Sequence, residues 1–124
     1  MSSPDTNTEQ TSYDILPYPP YSFPATHIGR LGAIGRLFGL ETAEPAKARV
    51  LELGCGVGVN LLAMAQLFPK SEFVGIDASK KQIDTGLEAV TATGLSNVRL
   101  IAADFSKLDE DLGKFDYILV HGIY

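Results

Sequence analysis

The 124-residue chain has one cysteine, no tryptophan and fewer basic than acidic side chains. A single cysteine cannot form an internal disulfide, so a disulfide scaffold is excluded and a reducing cytoplasm is the expected location. With 10 Lys and Arg against 15 Asp and Glu, the net charge is −5. We therefore expect neither nucleic acid nor a membrane surface as a partner, since both require clustered basic side chains. We also find no signal-peptide pattern and no apolar run of membrane-spanning length.

The composition is that of a soluble globular protein, with 45% hydrophobic and 20% charged residues in one domain's length or less. Residues 1–12 are polar and are expected to be disordered. Residues 13–24 are rich in aromatics and proline, which predicts a strap or lid on the domain; a polyproline-type ligand for a partner is the alternative. Apolar residues at helical spacing then predict a helix from Thr26 to Gly39, with Thr26 as N-cap, so that 13–48 form a strap-and-helix segment.

A glycine-rich turn follows the apolar run from Val50 to Leu53. The run predicts a buried parallel strand, and Gly54, Gly56 and Gly58 predict a sharp turn into a helix. Glycine allows positive φ and lets a ligand approach the main chain, while the helix N-terminus offers free N–H groups. The turn is therefore a predicted ligand site.

Three predicted strands each end in or near a carboxylate. These are Glu52 in the first strand, Asp77 at the end of the second, and Asp104 at the end of the third. In an open α/β sheet, ligands bind outside the carboxyl ends of the strands. We therefore expect the three acids to line one crevice.

The remaining segments complete an alternating pattern of strands and helices. A helix is predicted from Asn60 to Phe68, and a second follows a capping-box pair, Ser79 and Gln82. Residues 115–120 predict a fourth strand, buried on both faces. The predicted fold class is therefore α/β, a Rossmann-like doubly wound parallel sheet. We expect this chain to contain only the N-terminal part of that sheet, about four strands. The uncovered apolar edge of the fourth strand predicts that the isolated chain associates.

The order Glu-x-Gly-x-Gly-x-Gly, Gly-Ile-Asp and Ala-Asp-Phe resembles the class I S-adenosylmethionine-dependent methyltransferases. The resemblance implies that the three glycines face the methionine part of the cofactor, that Asp77 binds the ribose hydroxyls, and that Asp104 accepts from the adenine amine. It implies a methyltransferase domain over 49–124, incomplete at its C-terminal end, and no metal. Its further cofactor-binding residues are the neighbours of these motifs: Glu52, Cys55, Asn60, Ala78, Phe105 and His121.

The pattern Tyr-Asp-x-x-Pro-Tyr-Pro-x-Tyr-x-Phe-Pro-x-Thr-His, at 13–27, narrows the resemblance. It is similar to bacterial methyltransferases with a C-terminal methyltransferase regulatory domain, a group that includes rickettsial protein-lysine methyltransferases of surface proteins. The resemblance implies methyl transfer to a protein lysine or another amine. It also implies that this chain is an N-terminal fragment, inactive alone. A non-catalytic cofactor-binding fragment or pseudoenzyme is the alternative.

A nicotinamide dinucleotide is the rival ligand for the turn, and an NAD-dependent oxidoreductase is the remote alternative function. The dinucleotide fingerprint has a third glycine where this chain has Val59. Glu52 would also crowd a pyrophosphate with charge of the same sign. A sulfonium cofactor is cationic and carries no phosphate, so acids near the turn suit it better.

In the resembled architecture, residues just past the fourth strand lie beside the transferred methyl group. His121, Ile123 and Tyr124 are therefore candidates for the transfer site, with His121 and Tyr124 as the catalytic pair. His121 can orient an attacking amine or take its proton near neutral pH; a histidine hydrogen-bonded at a strand end is the alternative. We predict that Cys55 fills the tight turn rather than acting as a nucleophile, and that His27 starts a helix rather than reaching the cofactor.

Overall fold

The structure, a computed structural model, describes residues 27–108 and 111–120. The predicted tail at 1–12, the strap at 13–24, and the candidates His121, Ile123 and Tyr124 lie outside these residues. Two short 3-10 turns, Pro45–Lys47 and Phe105–Lys107, accompany the helices and strands. In chain order the helices and strands are α1 (Ile28–Leu37), β1 (Arg49–Leu53), α2 (Val59–Leu67), β2 (Glu72–Asp77), α3 (Lys80–Thr93), β3 (Val98–Ala102) and β4 (Tyr117–Val120).

The four strands form a parallel sheet in the order β3-β2-β1-β4, which confirms the α/β, Rossmann-like prediction. Leu53 of β1 pairs with Ile76 of β2, and Asp77 pairs with Ala102 of β3. The carboxyl ends of all four strands therefore meet at one edge. The chain leaves β1 toward β2 on one side and reaches β4 on the other, so the carboxyl end of β1 is a topological switch point, where ligands bind in such sheets.

One face of the sheet carries the apolar core. Val50, Phe73 and Leu100, one from each of β1, β2 and β3, pack in a single cluster with side chains from all three helices. The helix side chains in this cluster include Ile28 of α1, Leu61 and Met64 of α2, and Ile83 of α3. This packing fixes the helices, and hence the turns that begin them, relative to the carboxyl edge of the sheet.

β4 departs from the prediction of a strand buried on both faces. Tyr117 and Leu119 are buried in the core, whereas Ile118 and Val120 are 60% and 53% exposed. Successive side chains of a strand point to opposite faces, and the described helices contribute their buried side chains to the core on the Tyr117 side. The prediction that both faces of β4 are buried is therefore wrong, because an apolar composition does not by itself fix what packs against each face. The predicted association of the chain stays a prediction.

The helix ends follow the chemistry of nearby side chains. The N-cap of α1 is His27 rather than the predicted Thr26, because Nδ1 of His27 accepts a hydrogen bond from the Gly29 N–H at 3.1 Å. His27 therefore starts a helix, as predicted. The predicted cap of α3 is confirmed, since Oγ of Ser79 accepts from the Gln82 N–H at 3.2 Å.

Tyr117 links β4 to the segment ahead of β1, and its removal gives a first prediction. Its hydroxyl donates to the Ala43 carbonyl at 2.7 Å. Tyr117→Phe keeps the buried ring but loses this bond, and we expect the free energy of unfolding to fall by about 1 kcal/mol. Urea unfolding of the two proteins measures the difference. Equal midpoints and slopes would show that this hydrogen bond does not stabilise the fold.

Candidate functional site

The turn after β1 has the backbone that its glycines predict. Gly54, Gly56 and Gly58 have φ values of 73°, 60° and 83°, a region that glycine enters far more readily than other residues. The turn is anchored to β2, because the N–H groups of Gly54 and Cys55 both donate to the Ile76 carbonyl, at 2.7 and 3.2 Å. The turn is therefore held at the carboxyl edge of the sheet.

Asp77 joins the end of β2 to this turn. Its Oδ2 accepts from the Gly56 N–H at 2.9 Å, and its Oδ1 accepts from the Ser79 N–H at 2.8 Å. A carboxylate oxygen can accept more than one hydrogen bond, so the group keeps capacity for the hydroxyl donors of a ligand. The structure thus places a carboxylate directly against the middle glycine of the turn.

Glu52 is buried two residues before the first glycine of the turn, with 4% of its surface exposed. Nδ2 of Asn60, in the first turn of α2, donates to its Oε2 at 2.7 Å. Burial raises the pKa of Glu52 to about 7; the Asn60 hydrogen bond acts against this rise, and the charge of Asp77 adds to it. Glu52 therefore changes its protonation state near neutral pH.

Asp104 is exposed, unlike the other two acids. β3 ends at Ala102, short of the predicted end at Asp104, because Asp104 caps the 3-10 turn that follows. Its Oδ1 accepts from the N–H and the hydroxyl of Ser106 at 2.9 and 2.6 Å, and these bonds hold the pKa of Asp104 below its usual value. The Ala103 N–H donates to the Asp77 carbonyl at 3.0 Å. This bond holds the residue before Asp104 next to the end of β2, so Asp104 lies at the carboxyl edge of the sheet.

The other predicted residues differ in position. Ala78 and Phe105 are exposed beside Asp77 and Asp104. Cys55 is buried in the core cluster, and burial together with the charges of Glu52 and Asp77 raises the pKa of its thiol far above the usual value. A buried neutral thiol is a poor nucleophile, which supports the prediction that Cys55 fills space.

Two residues of α3 beside the turn were not predicted. Oε1 of Gln82 lies 2.7 Å from the position that a Cβ on Gly56 would occupy. A Cβ on Gly86 would overlap the Val57 carbonyl of the turn. The available signal was Gly86 itself, because a glycine inside a helix costs about 1 kcal/mol relative to alanine and so indicates a close approach.

Neither a metal centre nor a membrane span is found in the described part of the chain. Within 27–108 and 111–120, no group of three or more His, Cys, Asp and Glu side chains is placed to hold a metal ion. The helices of these ranges are too short or too polar to cross a bilayer.

Three similar proteins come from Rickettsia. The Rickettsia prowazekii protein RP028 is 48% identical over 117 residues, which cover 94% of this chain and 47% of RP028. RP789 of the same organism is 39% identical over 118 residues, covering 95% of this chain and 21% of RP789. The solved structure of PKMT2 from Rickettsia typhi in complex with AdoHcy (S-adenosylhomocysteine) has a TM-score of 0.82 and 47% identity, over 86% of this chain and 21% of PKMT2. This chain thus spans about half or less of each of these relatives.

The profile of a family described as a methyltransferase domain matches residues 45–124. The match includes all four strands, the glycine turn and the three acids at the carboxyl edge. This chain therefore belongs to the methyltransferase-domain family.

Proposed function

We propose that this chain is the cofactor-binding part of an S-adenosylmethionine-dependent methyltransferase that methylates a protein lysine or another amine. The observation that carries the proposal is the contact between the Gly56 N–H and Oδ2 of Asp77, 2.9 Å apart at the switch point of the sheet. This contact places a carboxylate that can accept from two vicinal hydroxyls against a turn whose main chain a ligand can approach closely. The similarity to PKMT2, whose structure contains AdoHcy, supports the same ligand.

The residues of the turn fit the chemistry of this cofactor. Asp77 offers a charged acceptor to hydroxyl donors, and hydrogen bonds of this kind are the stronger ones. Asp77 opposes a pyrophosphate, and Glu52, whose raised pKa of about 7 lets it ionise beside a positive charge, favours a cationic ligand. Val59 occupies the position where a dinucleotide fingerprint has its third glycine and starts α2 there. These features favour a sulfonium cofactor over NAD.

When bound, the cofactor supplies a methyl group activated by a positive sulfur for in-line displacement. The chain contributes binding, orientation and exclusion of water. The three glycines would hold the methionine part, Asp77 the ribose and Asp104 the adenine amine, and Ala78 and Phe105 would lie beside the nucleoside. His121 and Tyr124 are the candidates for the transfer site, where an imidazole nitrogen of His121 would take the proton of the attacking amine.

A protein amine is favoured over nucleic acid as the acceptor. Some relatives are named tRNA (guanine-N(7)-)-methyltransferase, such as one from Photobacterium profundum at 33% identity over 73 residues. The rickettsial relatives match more of this chain at higher identity. The net charge of −5 also opposes contact with phosphates. The rickettsial relatives are longer than this chain, which is compatible with a longer parent protein. The single cysteine supports a cytoplasmic location.

Cofactor binding without turnover is the second candidate function. It is favoured by the small share, 21%, of PKMT2 that this chain covers. Labelled methyl donor separates the two: transfer of label to lysine-containing protein indicates an enzyme, whereas binding without transfer indicates a cofactor-binding part.

Asp77→Ala tests the ribose assignment. We expect AdoHcy affinity to fall by roughly 1.5–3 kcal/mol, because a charged acceptor of hydrogen bonds is lost. Asp104→Ala should cost less, since the adenine amine is a single neutral donor. Calorimetric titration measures both, with Asp84→Ala on the exposed side of α3 as control. An Asp77→Ala protein that keeps its circular dichroism and binds AdoHcy as tightly as the parent would refute the assignment.

A further inference from the structure

Two buried carboxyl groups share the cofactor site. Glu52 is 4% exposed and Asp77 is 9% exposed, and they are close enough for the charge of Asp77 to act on Glu52. The ion pairs of the described residues are formed elsewhere, between Arg36 and Glu44, Arg49 and Glu72, and Lys80 and Asp84. Within the described residues, therefore, no basic side chain forms an ion pair with either buried carboxyl.

The hydrogen bonds distinguish the two carboxyl groups. Asp77 accepts two backbone N–H groups, one on each oxygen. Within 27–108 and 111–120, Glu52 has one donor, the neutral amide of Asn60 at 2.7 Å. Two neighbouring buried carboxyls do not ionise together without cost, and the one with fewer donors keeps its proton. In the free site that residue is Glu52.

The other groups around Glu52 that belong to the described residues do not compensate its charge. Asp77 at the end of β2 is acidic, Cys55 in the turn is a neutral thiol, and Asn60 on α2 is uncharged. Its register partners in the sheet, Gly75 of β2 and Leu119 of β4, have no polar side chain. None of these described neighbours carries a positive charge, whereas a cationic ligand supplies one.

We infer that Glu52 senses the charge of the ligand: it holds a proton in the free site and releases it to solvent when the cationic methyl donor binds. No bond to the ligand forms, and the proton passes from a carboxyl oxygen to the buffer. The product keeps the cationic amino group but lacks the methyl group and the positive charge on sulfur, so Glu52 keeps more of its proton beside it. Because attraction between opposite charges is strong in a site with little water, Glu52 favours the donor over the product. This inference rests on the proposed function.

Calorimetric titration of the full chain at pH 6 tests the inference. Repeating each titration in two buffers of different ionisation enthalpy gives the number of protons released on binding. At pH 6 the amino groups of both ligands are protonated, since α-amino groups ionise near 7.7–8.0, about two units higher. Glu52 with a pKa of about 7 is about 90% protonated at this pH. S-adenosylmethionine and S-adenosylhomocysteine are then compared on the parent, on Glu52→Gln, and on Glu88→Gln as an exposed control.

The parent and the Glu88→Gln control should release close to one proton with S-adenosylmethionine and clearly fewer with S-adenosylhomocysteine. Glu52→Gln should release almost none with either ligand. Equal release by the two ligands on the parent, or unchanged release in Glu52→Gln, would overturn the inference while leaving cofactor binding intact. Failure of the parent to bind either ligand would instead overturn the proposed function and the inference with it. If Glu52→Gln does not fold, the comparison of the two ligands on the parent decides alone.

Discussion

Gly86→Val is expected to lower the free energy of unfolding by about 3 kcal/mol or more, as overpacking of a rigid contact does. A Cβ at this position would overlap the Val57 carbonyl and come within 2.6 Å of Cδ1 of Leu100. The carbonyl is backbone of the glycine turn and cannot move without displacing that turn. Affinity for AdoHcy should therefore fall together with stability.

Urea unfolding and calorimetric titration of Gly86→Val measure the two effects. Ala92→Val, at an exposed position of the same helix, controls for the lower helix propensity of valine. If Gly86→Val unfolds at the same urea concentration as Ala92→Val, the close approach of α3 to the turn is not a determinant of stability.

The second large effect is a loss of stability between about pH 4.5 and pH 7 that comes from Glu52. Below the ordinary value of 4.5 the carboxyl holds its proton in both the folded and the unfolded chain, so burial costs no ionisation energy. As pH rises from 4.5 to the folded pKa of about 7, the unfolded chain gives up this proton while the folded chain still holds it, so unfolding becomes more favourable. A rise from 4.5 to about 7 corresponds to about 3 kcal/mol lost at high pH.

Glu52→Gln removes this loss while keeping the shape of the side chain and an oxygen for Asn60. We expect the variant to be more stable than the parent by about 3 kcal/mol at pH 8 and nearly equal to it at pH 4, below the unfolded pKa of 4.5. Urea unfolding of both proteins at the two pH values measures the change. The lowered pKa of Asp104 affects the stability of both proteins equally, so it does not change the difference between them. Parallel stability profiles for parent and variant would contradict the assignment of the buried proton to Glu52.

The sequence predicted the elements whose signals are local. Apolar runs followed by glycine or acid predicted the four parallel strands, and the Ser79 cap predicted the start of α3. The glycines of the turn predicted its positive φ values. These features depend on a few neighbouring residues, so a pattern in the chain is enough to indicate them.

Features that depend on tertiary contacts were not predictable in the same way. The apolar residues of β4 indicated a strand but not that Ile118 and Val120 would be exposed, because exposure depends on what packs against each face. Both Ser79 and Gln82 were placed in a capping pair, but the contact of Gln82 with Gly56 depends on how α3 approaches the turn. The buried position of Glu52 was also not evident, since an acid at a strand end is as compatible with solvent as with a core.

Titration of the chain with S-adenosylhomocysteine and with NAD tests the central claim most directly. Three acids and a glycine turn meet at one edge of the sheet, where they suit a cationic or neutral ribose-bearing ligand and oppose a pyrophosphate. We expect saturable binding of S-adenosylhomocysteine at one site per chain and no heat of binding with NAD. Binding of NAD without binding of S-adenosylhomocysteine would contradict the assignment of this site to a methyltransferase cofactor.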